Sequence, residues 1–231
     1  MRPWLAAGRS LDGLNAAAER RGVRTESGRA LRFVPPASTE RYYEVSVFET
    51  GRVATRADSL HDWLNALAWL AFPRTKARIN AMHAAEIPRE GGRRGRLRDL
   101  LTIFDEGGAL VACGDAELVA LLRAHRWAEL FWEQRARVRA AMRFLVLGHA
   151  VLEQALLSAP RPRPSITCKV LVVDPQGDAD AQAAGQLAAL PTGATPRDLA
   201  PLPVFGYPGW LPGSESREFY DDAKVFRQAQ A

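Results

Sequence analysis

Two pairs of polar residues at helical spacing stand in an otherwise apolar stretch between Ser59 and His83. His61 and Asn65 are one helical turn apart, and so are Asn80 and His83, so each pair would share one face of a helix. Imidazole and amide groups inside apolar helices need hydrogen-bond partners, either in a buried network or from a ligand. The stretch therefore predicts a site, but its residue types do not define a reaction.

A third pair, His149 and Glu153, is also one helical turn apart. An imidazole and a carboxylate at that spacing can share a divalent metal ion, or the carboxylate can orient a histidine that acts as a base. The same spacing is common in surface pairs that contribute only a few tenths of a kcal/mol. We predict one partly enclosed cleft that brings together His61, His83 and His149, with Glu153 and either Asp62 or Asp105 close by.

Such a cleft would suit a divalent metal such as zinc or another first-row metal. The candidate metal ligands are His61, His83, His149 and Glu153. The candidate catalytic residues are His61, His149 and Glu153, and the candidate substrate-binding residues are Asn65, Lys76, Asn80 and Arg56. Three donor atoms about 2.0–2.2 Å from a common point would indicate a metal site. Imidazoles held by protein hydrogen bonds alone would instead favour a binding protein.

Several established catalytic motifs are absent. The chain has no His-Glu-x-x-His sequence, no paired cysteine ligands, no Gly-x-Ser-x-Gly elbow and no glycine-rich phosphate loop. The dipeptide His61-Asp62 occurs in HD-type phosphohydrolases, but that family has another histidine upstream, and His61 is the first histidine of this chain. Cys113 and Cys168 are far apart and are interpreted as free structural thiols.

Length and composition favour one α+β domain over residues 1–231, with residues 174–231 forming a C-terminal arm docked on the body. The 231 residues carry a formal charge of +5, which is compatible with anionic partners but only weak evidence for nucleic acid. No apolar run approaches the roughly 20 residues of a membrane span, and no signal peptide is evident, so a cytoplasmic protein without a membrane partner is expected.

Periodicity predicts the elements that would position the site. Helices are predicted over 11–20, 59–72, 74–86, 116–139 and 149–157, and strands over 31–34 and 166–173. Alternating residues predict β-hairpins over 42–56 and 100–112. In the expected architecture an antiparallel sheet, built from the two hairpins and strand 166–173, packs against helices 59–72 and 116–139. The aromatic turn at 205–210 is expected to dock near the helices of 59–83.

Seven motifs, in order along the chain, are similar to those of the bacterial domain of unknown function family 3025. They are Tyr43-Glu44, Gly51-x-Val-x-Thr-Arg56, the segment from His61 to Lys76, Asn80-x-x-His83, Leu101-Thr-x-Phe-Asp-Glu106, Gly148-His-Ala-x-x-Glu153 and Tyr207-Pro-Gly-Trp210. The family has no established activity to transfer. The resemblance implies a bacterial, cytoplasmic protein and assigns no roles, although its motifs contain His61, Asn65, Lys76, Asn80, His83, Asp105, Glu106, His149 and Glu153.

Two functions from different classes fit these observations. One is a metal-dependent hydrolase acting on an anionic small molecule, with Lys76, Arg74 and Arg56 gripping the anion. The alternative is a non-catalytic binding or adaptor protein. In that case the arginine-rich loop 89–98 and the basic helix 126–143 would contact RNA or an acidic protein partner.

Overall fold

The computed structural model describes residues 10–36, 42–90, 94–158 and 165–228. The helices are α1 (Leu11–Arg20), α2 (Tyr43–Thr50), α3 (Leu60–Ala71), α4 (Pro73–Glu86), α5 (Arg96–Gly107), α6 (Ala116–Arg123), α7 (Arg135–Ala141), α8 (His149–Leu157) and α9 (Ala179–Ala188). The strands are β1 (Arg32–Val34), β2 (Arg52–Ala54), β3 (Gly108–Cys113), β4 (Met142–Val146), β5 (Thr167–Val173) and β6 (Ala200–Pro203). None of the helices in these residues is long and apolar enough to cross a membrane.

The α+β class is confirmed, but the main sheet is mixed rather than antiparallel. Its strand order is β4-β3-β5-β6; β3 and β5 run parallel, and both outer strands are antiparallel to their neighbours. A separate parallel pair joins β1 to β2. The parallel pairing of β3 with β5 follows from the long connection between them, which contains α6, α7, β4 and α8.

The main sheet is buried on both faces, and its strands alternate between two cores. In β3, Ala109 and Val111 face one apolar cluster, while Leu110 and Ala112 face another. The first cluster is rich in aromatic side chains and is called the aromatic side below; it contains Trp127, Phe131, Tyr220 and Phe226, with Phe144 packed against it. A third cluster surrounds β1, β2 and the inner faces of α1 and α3.

The predicted hairpin over 42–56 is wrong. Residues 43–50 form α2, and β2 pairs in parallel with β1 instead of folding back on the preceding residues. Gly51 has φ 74° and its N–H bonds to the Val47 carbonyl, so it ends a helix rather than making a hairpin turn. A Cβ atom there would lie 2.3 Å from the carbonyl oxygen of Ala30, which adds a steric reason for glycine.

The predicted hairpin over 100–112 is also wrong. Leu100, Leu101 and Phe104 lie at helical spacing and are completely buried on one face of α5. The strand begins only at Gly108, which packs against the last turn of that helix. The error matters for the site, because Asp105 lies on a helix rather than in a turn.

The helix predicted over 116–139 is interrupted. The N–H groups of His125 and Arg126 bond back to the carbonyls of Leu122 and Leu121, and His125 adopts φ 54°, so α6 ends there. A π-helical segment, Glu129–Glu133, precedes α7. The helices predicted over 11–20, 59–72, 74–86 and 149–157 and the strands predicted over 31–34 and 166–173 are confirmed to within a residue or two.

The aromatic turn at 205–210 packs on the aromatic side and not near α3 and α4. Tyr207 and Trp210 contact Phe144, with ring centroids 5.0 and 5.9 Å away, and the Tyr207 hydroxyl donates to the Met142 carbonyl at 3.1 Å. Pairing of β6 with the edge of β5 brings the chain to this face, where aromatic partners are available. The turn therefore does not wall the predicted cleft.

Candidate functional site

The junction of α3 and α4 brings their polar residues together. Ser59 caps α3 by accepting from the N–H of Asp62 at 3.1 Å, and Pro73 begins α4 after a break at Phe72. The chain reverses there, so that the Lys76 Nζ atom on α4 donates to Asn65 Oδ1 on α3 at 2.7 Å.

A cavity of about 480 Å³ lies among α2, α3, α4, α5 and the start of α8. His61, His83 and His149 all line it, together with Asn65, Lys76, Asn80, Arg56 and Asp105. Its remaining walls include Tyr43, Glu44, Asp62, Trp69, Arg94, Thr102 and Glu106. A cavity of this size is in the range of small-molecule sites, but its lining is mostly polar and charged, whereas most such sites have apolar walls.

One wall of the cavity carries a chain of hydrogen bonds through two histidines. Glu153 Oε2 lies 2.9 Å from His61 Nδ1, and His61 Nε2 lies 3.1 Å from His149 Nε2. His149 Nδ1 lies 3.0 Å from the backbone carbonyl oxygen of Asp105. This series of hydrogen bonds therefore runs from Glu153 on α8 to His61 on α3 and back to His149 on α8. It ends at the backbone of Asp105 in the last turn of α5.

The partners of each nitrogen define where the hydrogens lie. A carbonyl oxygen only accepts, so His149 carries its hydrogen on Nδ1 and offers a lone pair at Nε2. His61 must then donate through Nε2, and it also faces a carboxylate through Nδ1. The His61–Glu153 contact is a hydrogen bond whether the hydrogen between Nδ1 and Oε2 lies on the imidazole or on the carboxyl group.

His149 is held in its neutral form by its surroundings. Its side chain is buried, and burial lowers its pKa to about 4, because the charged imidazolium is poorly solvated there. The Asp105 carboxylate opposes that shift, while Lys76 and His61 reinforce it. His149 thus accepts a hydrogen bond at Nε2 without becoming protonated near neutral pH.

The position of His149 depends on a close approach of two backbones. Gly148 N and Leu147 N both donate to the Gly108 carbonyl, at 2.8 and 3.1 Å. A Cβ atom on Gly148 would lie 2.6 Å from the carbonyl oxygen of Glu106, so only glycine allows α8 to start this near the end of α5. That approach brings His149 within reach of the Asp105 carbonyl.

Lys76 is a buried cation in the same cavity. Its Nζ atom forms an ion pair with Asp105 and donates to Asn65, and it lies 5.6 Å from the centroid of the Trp69 ring. Burial raises the pKa of the Asp105 carboxyl, but Lys76 and His149 outweigh burial and hold that pKa below its ordinary value. The pair is therefore charged on both sides.

Tyr43 and Arg56 line the cavity from α2 and from the residues after β2. Asn65 Nδ2 lies 3.4 Å from the Tyr43 hydroxyl, and burial raises the pKa of that hydroxyl. Arg56 forms two hydrogen bonds of 2.8 Å with the Asp62 carboxylate, which lower the Asp62 pKa to about 2. Both oxygens of the Asp62 carboxylate bond to Arg56, and the structure shows no hydrogen bond between this carboxylate and His61 or His149.

Asn80 and His83 lie one turn apart on α4, away from the histidine pair. Asn80 Nδ2 donates to the Glu44 carbonyl at 2.8 Å, and its Oδ1 atom is buried without a partner among the described residues. His83 Nδ1 accepts from Arg98 Nε at 3.3 Å. Burial lowers the pKa of His83, so its imidazole is neutral with the hydrogen on Nε2.

The predicted site residues thus fall into two groups around one cavity. His61, His149 and Glu153 are in contact, whereas His83 belongs with Asn80. Glu153 contacts His61 at Nδ1, so it does not share with His149 a point near the two Nε2 atoms. In the ranges that the structure describes, no three His, Cys, Asp or Glu side chains are placed to hold a metal ion together. Arg74 pairs with Asp178 at 3.0 Å and does not line the cavity.

Sequence reasoning missed Tyr43, Thr102 and Arg94 as cavity residues. Tyr43 and Thr102 were assigned to hairpins, although the helical spacing of Tyr43 with Val47 was a usable signal. The Asp105 backbone carbonyl, which sets the tautomer of His149, has no signature in the sequence.

The family model described as "Protein of unknown function (DUF3025)" matches residues 31–230, and the chain belongs to this family. No curated protein and no solved structure matches the chain. Six of the seven family-like motifs contribute residues to the cavity, and the seventh, which ends at Trp210, lies on the aromatic side.

Proposed function

We propose that members of this family are enzymes, and that in this chain the cavity is the active site, with His61 and His149 as its acid–base pair. The observation that carries the proposal is the hydrogen-bond chain from Glu153 through both imidazoles to the Asp105 carbonyl. Each imidazole is anchored at Nδ1, so both Nε2 atoms point at one place beside the cavity. Protein hydrogen bonds alone hold both imidazoles, which is the arrangement expected of a binding protein, so the enzyme proposal rests on the meeting of the two Nε2 atoms at the cavity.

The two imidazoles are suited to different roles in a proton transfer. Glu153 contacts His61 at Nδ1 and orients its imidazole, which leaves Nε2 as the atom that can exchange a proton. His149 stays neutral because its pKa is about 4, so it offers a lone pair and does not compete for the proton. When a water or a substrate hydroxyl replaces the direct His61–His149 contact, His61 with its single hydrogen on Nδ1, towards Glu153, would accept the hydroxyl proton at its free Nε2 atom. Hydrolysis of a small molecule is the simplest reaction that uses this geometry.

The charges around the cavity do not select an anion as strongly as the sequence suggested. The lining has three permanent cations and four carboxylates; these are Arg56, Lys76 and Arg94, with Glu44, Asp62, Asp105 and Glu106. Two of the cations are already paired with Asp62 and Asp105. The proposed substrate is therefore a polar small molecule, and net negative charge is not required of it.

The test is a comparison of His61→Gln, Glu153→Gln and His125→Asn in a screen of chromogenic esters, amides and phosphoesters. General acid–base groups typically contribute about 10²–10⁴-fold, so the first two variants should lose at least about 100-fold in kcat/KM. His125 lies outside the cavity, and asparagine tolerates its φ of 54°, so its variant should keep wild-type turnover. Turnover that is unchanged in His61→Gln would refute the proposed base.

A metal-dependent hydrolase is a second candidate, supported by the same pair of Nε2 atoms. Metal-bound histidines usually donate their other nitrogen to a carboxylate or a carbonyl, and His61 and His149 do so to Glu153 and to Asp105. Water would have to supply the other ligands. Calorimetric titration with Zn²⁺ and Co²⁺ tests this candidate: binding that is lost in both His61→Gln and His149→Gln would favour it over metal-free catalysis.

The alternative of an RNA-binding or adaptor surface has weaker support. Arginines of the two basic segments are paired with carboxylates, which reduces their attraction for phosphate. The paired arginines among the described residues of these segments include Arg89, Arg98, Arg126, Arg135, Arg137 and Arg139. Arg93 lies outside the described residues.

A further inference from the structure

We infer that Asn80 and His83 form a recognition subsite for a neutral amide-type group of the substrate. The group would donate an N–H to Asn80 Oδ1 and accept a hydrogen bond from His83 Nε2–H. This inference deepens the proposed function, because it assigns a substrate class to the same cavity. It depends on the cavity being the substrate site, but not on His61 being the base.

Asn80 presents an acceptor that nothing in the described protein satisfies. The residue is 5% exposed and lines the cavity, and its Oδ1 atom is buried without a hydrogen-bond partner. Its orientation is fixed, because the Nδ2 group donates to the Glu44 carbonyl at 2.8 Å, and a flipped amide would place two acceptors against each other. Buried acceptors without a partner are costly and uncommon, and a ligand N–H or O–H would remove that cost.

His83 supplies the matching donor. Its Nδ1 atom accepts from Arg98, so the neutral imidazole carries its hydrogen on Nε2. Asn80 and His83 are one helical turn apart on the buried face of α4, and both line the cavity. On such a face neighbouring Cβ atoms are about 5–6 Å apart, within the reach of a single small polar group. The protein thus offers an acceptor, Asn80 Oδ1, beside a donor, His83 Nε2–H. An amide ligand matches this pair, because its N–H can donate to the first and its C=O can accept from the second.

Charged groups fit this subsite poorly. A carboxylate or a phosphate dianion has no hydrogen to give to Asn80 Oδ1. An ammonium group would lie near Lys76, which is on the same face of α4, and near Arg98, which contacts His83. The carboxylates of Asp105 and Glu90 are occupied by these two cations. The pattern therefore selects a neutral group that both donates and accepts, such as a carboxamide or a cyclic amide.

The first experiment uses wild-type full-length protein and a pair of probes that differ in one donor. 2-Pyridone carries the N–H and C=O of a cyclic amide, while N-methyl-2-pyridone lacks the N–H. Ligand-observed NMR titration should show 2-pyridone binding about tenfold more tightly or better, as expected when a buried acceptor is left unpaired. Equal affinities of the two probes, or no binding of 2-pyridone at millimolar concentration, would overturn the inference.

The second experiment assigns the contacts with variants of similar volume. Asn80→Leu should lose the preference for 2-pyridone over its N-methyl form. His83→Leu should weaken 2-pyridone binding, while His83→Gln should restore most of it, since glutamine offers both an acceptor to Arg98 and a donor to the ligand. A preference that survives Asn80→Leu would overturn the inference. The wild-type comparison remains decisive if that variant does not fold.

His125→Asn is the matched control for the binding measurements. His125 lies outside the cavity and has no part in the proposed function, so its variant should bind 2-pyridone with wild-type affinity. If wild-type protein binds 2-pyridone and its N-methyl form equally, while His61→Gln loses turnover, only the amide subsite is rejected. Retained preference together with unchanged turnover in His61→Gln would reject only the proposed base.

Discussion

The two sides of the molecule differ in what they bury. The aromatic side buries rings against rings: Phe131 lies 6.0 Å from Trp127, 6.3 Å from Phe144 and 6.2 Å from Tyr220, measured between ring centroids. The cavity side buries hydrogen-bonding groups, and α4 alone contains four buried polar residues, namely Thr75, Lys76, Asn80 and His83. One side gains stability from apolar area, whereas the other must satisfy its polar groups.

This difference indicates which side carries the function. Burial of aromatic rings stabilises the folded state without requiring hydrogen-bond partners, while buried polar groups stabilise it only when each has a hydrogen-bond partner. Within the part of the chain that the structure describes, Asn80 Oδ1 on the cavity side has no hydrogen-bond partner, and the Nε2 atoms of His61 and His149 bond only to each other. A protein that optimised stability alone would fill this region with apolar residues. Substitutions on the two sides should therefore have different consequences.

The largest stability loss is expected from Phe131→Ala on the aromatic side. Phe131 is completely buried, and such truncations cost about 3–5 kcal/mol because they remove apolar contacts and leave a cavity. Urea denaturation measures the change. Binding of 2-pyridone by the folded fraction should stay at the wild-type level, because Phe131 does not line the site. A loss below about 1 kcal/mol would mean that this side repacks easily and is not the main source of stability.

Lys76→Met should be the most costly change on the cavity side. It leaves the Asp105 carboxylate without its cation, and breaking a buried ion pair costs about 3–5 kcal/mol; we expect roughly 2–4, since the Asp105 side chain is 22% exposed. The double variant Lys76→Met/Asp105→Asn removes the stranded charge and should recover at least half of the loss in urea denaturation. If the double variant is no more stable than the single one, the cost comes from packing and not from charge.

The contrast between the sides also explains how much of the fold the sequence could predict. Helices with strong local signals were predicted well, including α3 with its Ser59 cap and α4 with Pro73 at its start. The two hairpin predictions are wrong because short apolar runs fit both the helical and the strand period, and because Gly51 and the pair Gly107-Gly108 suit a hairpin turn as well as a helix end. Whether such a glycine ends a helix or turns a hairpin depends on contacts distant in the sequence, such as the approach of Ala30 to Gly51.

The sequence was sufficient to predict which residues belong to the candidate site, but not which of their side chains contact each other. Helical spacing identified His61, His149 and Glu153 as possible partners, and the structure brings them into contact. Spacing could not show that Glu153 faces His61 instead of its own helical neighbour His149. That choice depends on how α3 and α8 pack and on the backbone carbonyl of Asp105, which occupies His149 Nδ1. His83 separated from the pair for the same reason, because Arg98 is its partner.

Acid should destabilise the cavity side through His149. Folding lowers its pKa from the ordinary 6.5 to about 4, so between these values the unfolded chain binds a proton that the folded chain does not. The free energy of unfolding is therefore highest above about pH 6.5 and falls as the pH falls towards 4, by roughly 3 kcal/mol in all. The lowered pKa of His83 acts in the same direction, whereas the lowered carboxyl pKa values of Asp62 and Asp105 act below their ordinary 3.8.

Urea denaturation of wild-type protein and His149→Gln between pH 4.5 and pH 7.5 measures this dependence. The variant should show a smaller loss over the interval, because it lacks the group that the unfolded chain protonates. Phe131→Ala should keep the wild-type slope, since it removes no titratable group. Equal slopes for wild-type protein and His149→Gln would contradict a neutral, buried His149.

The smallest stability change is expected from Glu153→Gln, although it should alter the proposed chemistry most directly. The side chains of His61 and Glu153 are 38% and 26% exposed, so their ion pair should contribute less than about 1 kcal/mol. Removing the carboxylate replaces the charged partner of His61 Nδ1 with a neutral amide. NMR of the imidazole nitrogens should then show a changed His61 Nδ1 signal, while His149 keeps its hydrogen on Nδ1. A stability loss as large as that of Phe131→Ala, with the His61 signals unchanged, would mean that Glu153 is a packing residue like those of the aromatic side. A small loss with altered His61 signals would place Glu153 with the chemistry of the cavity, which is the division between the two sides that the structure predicts.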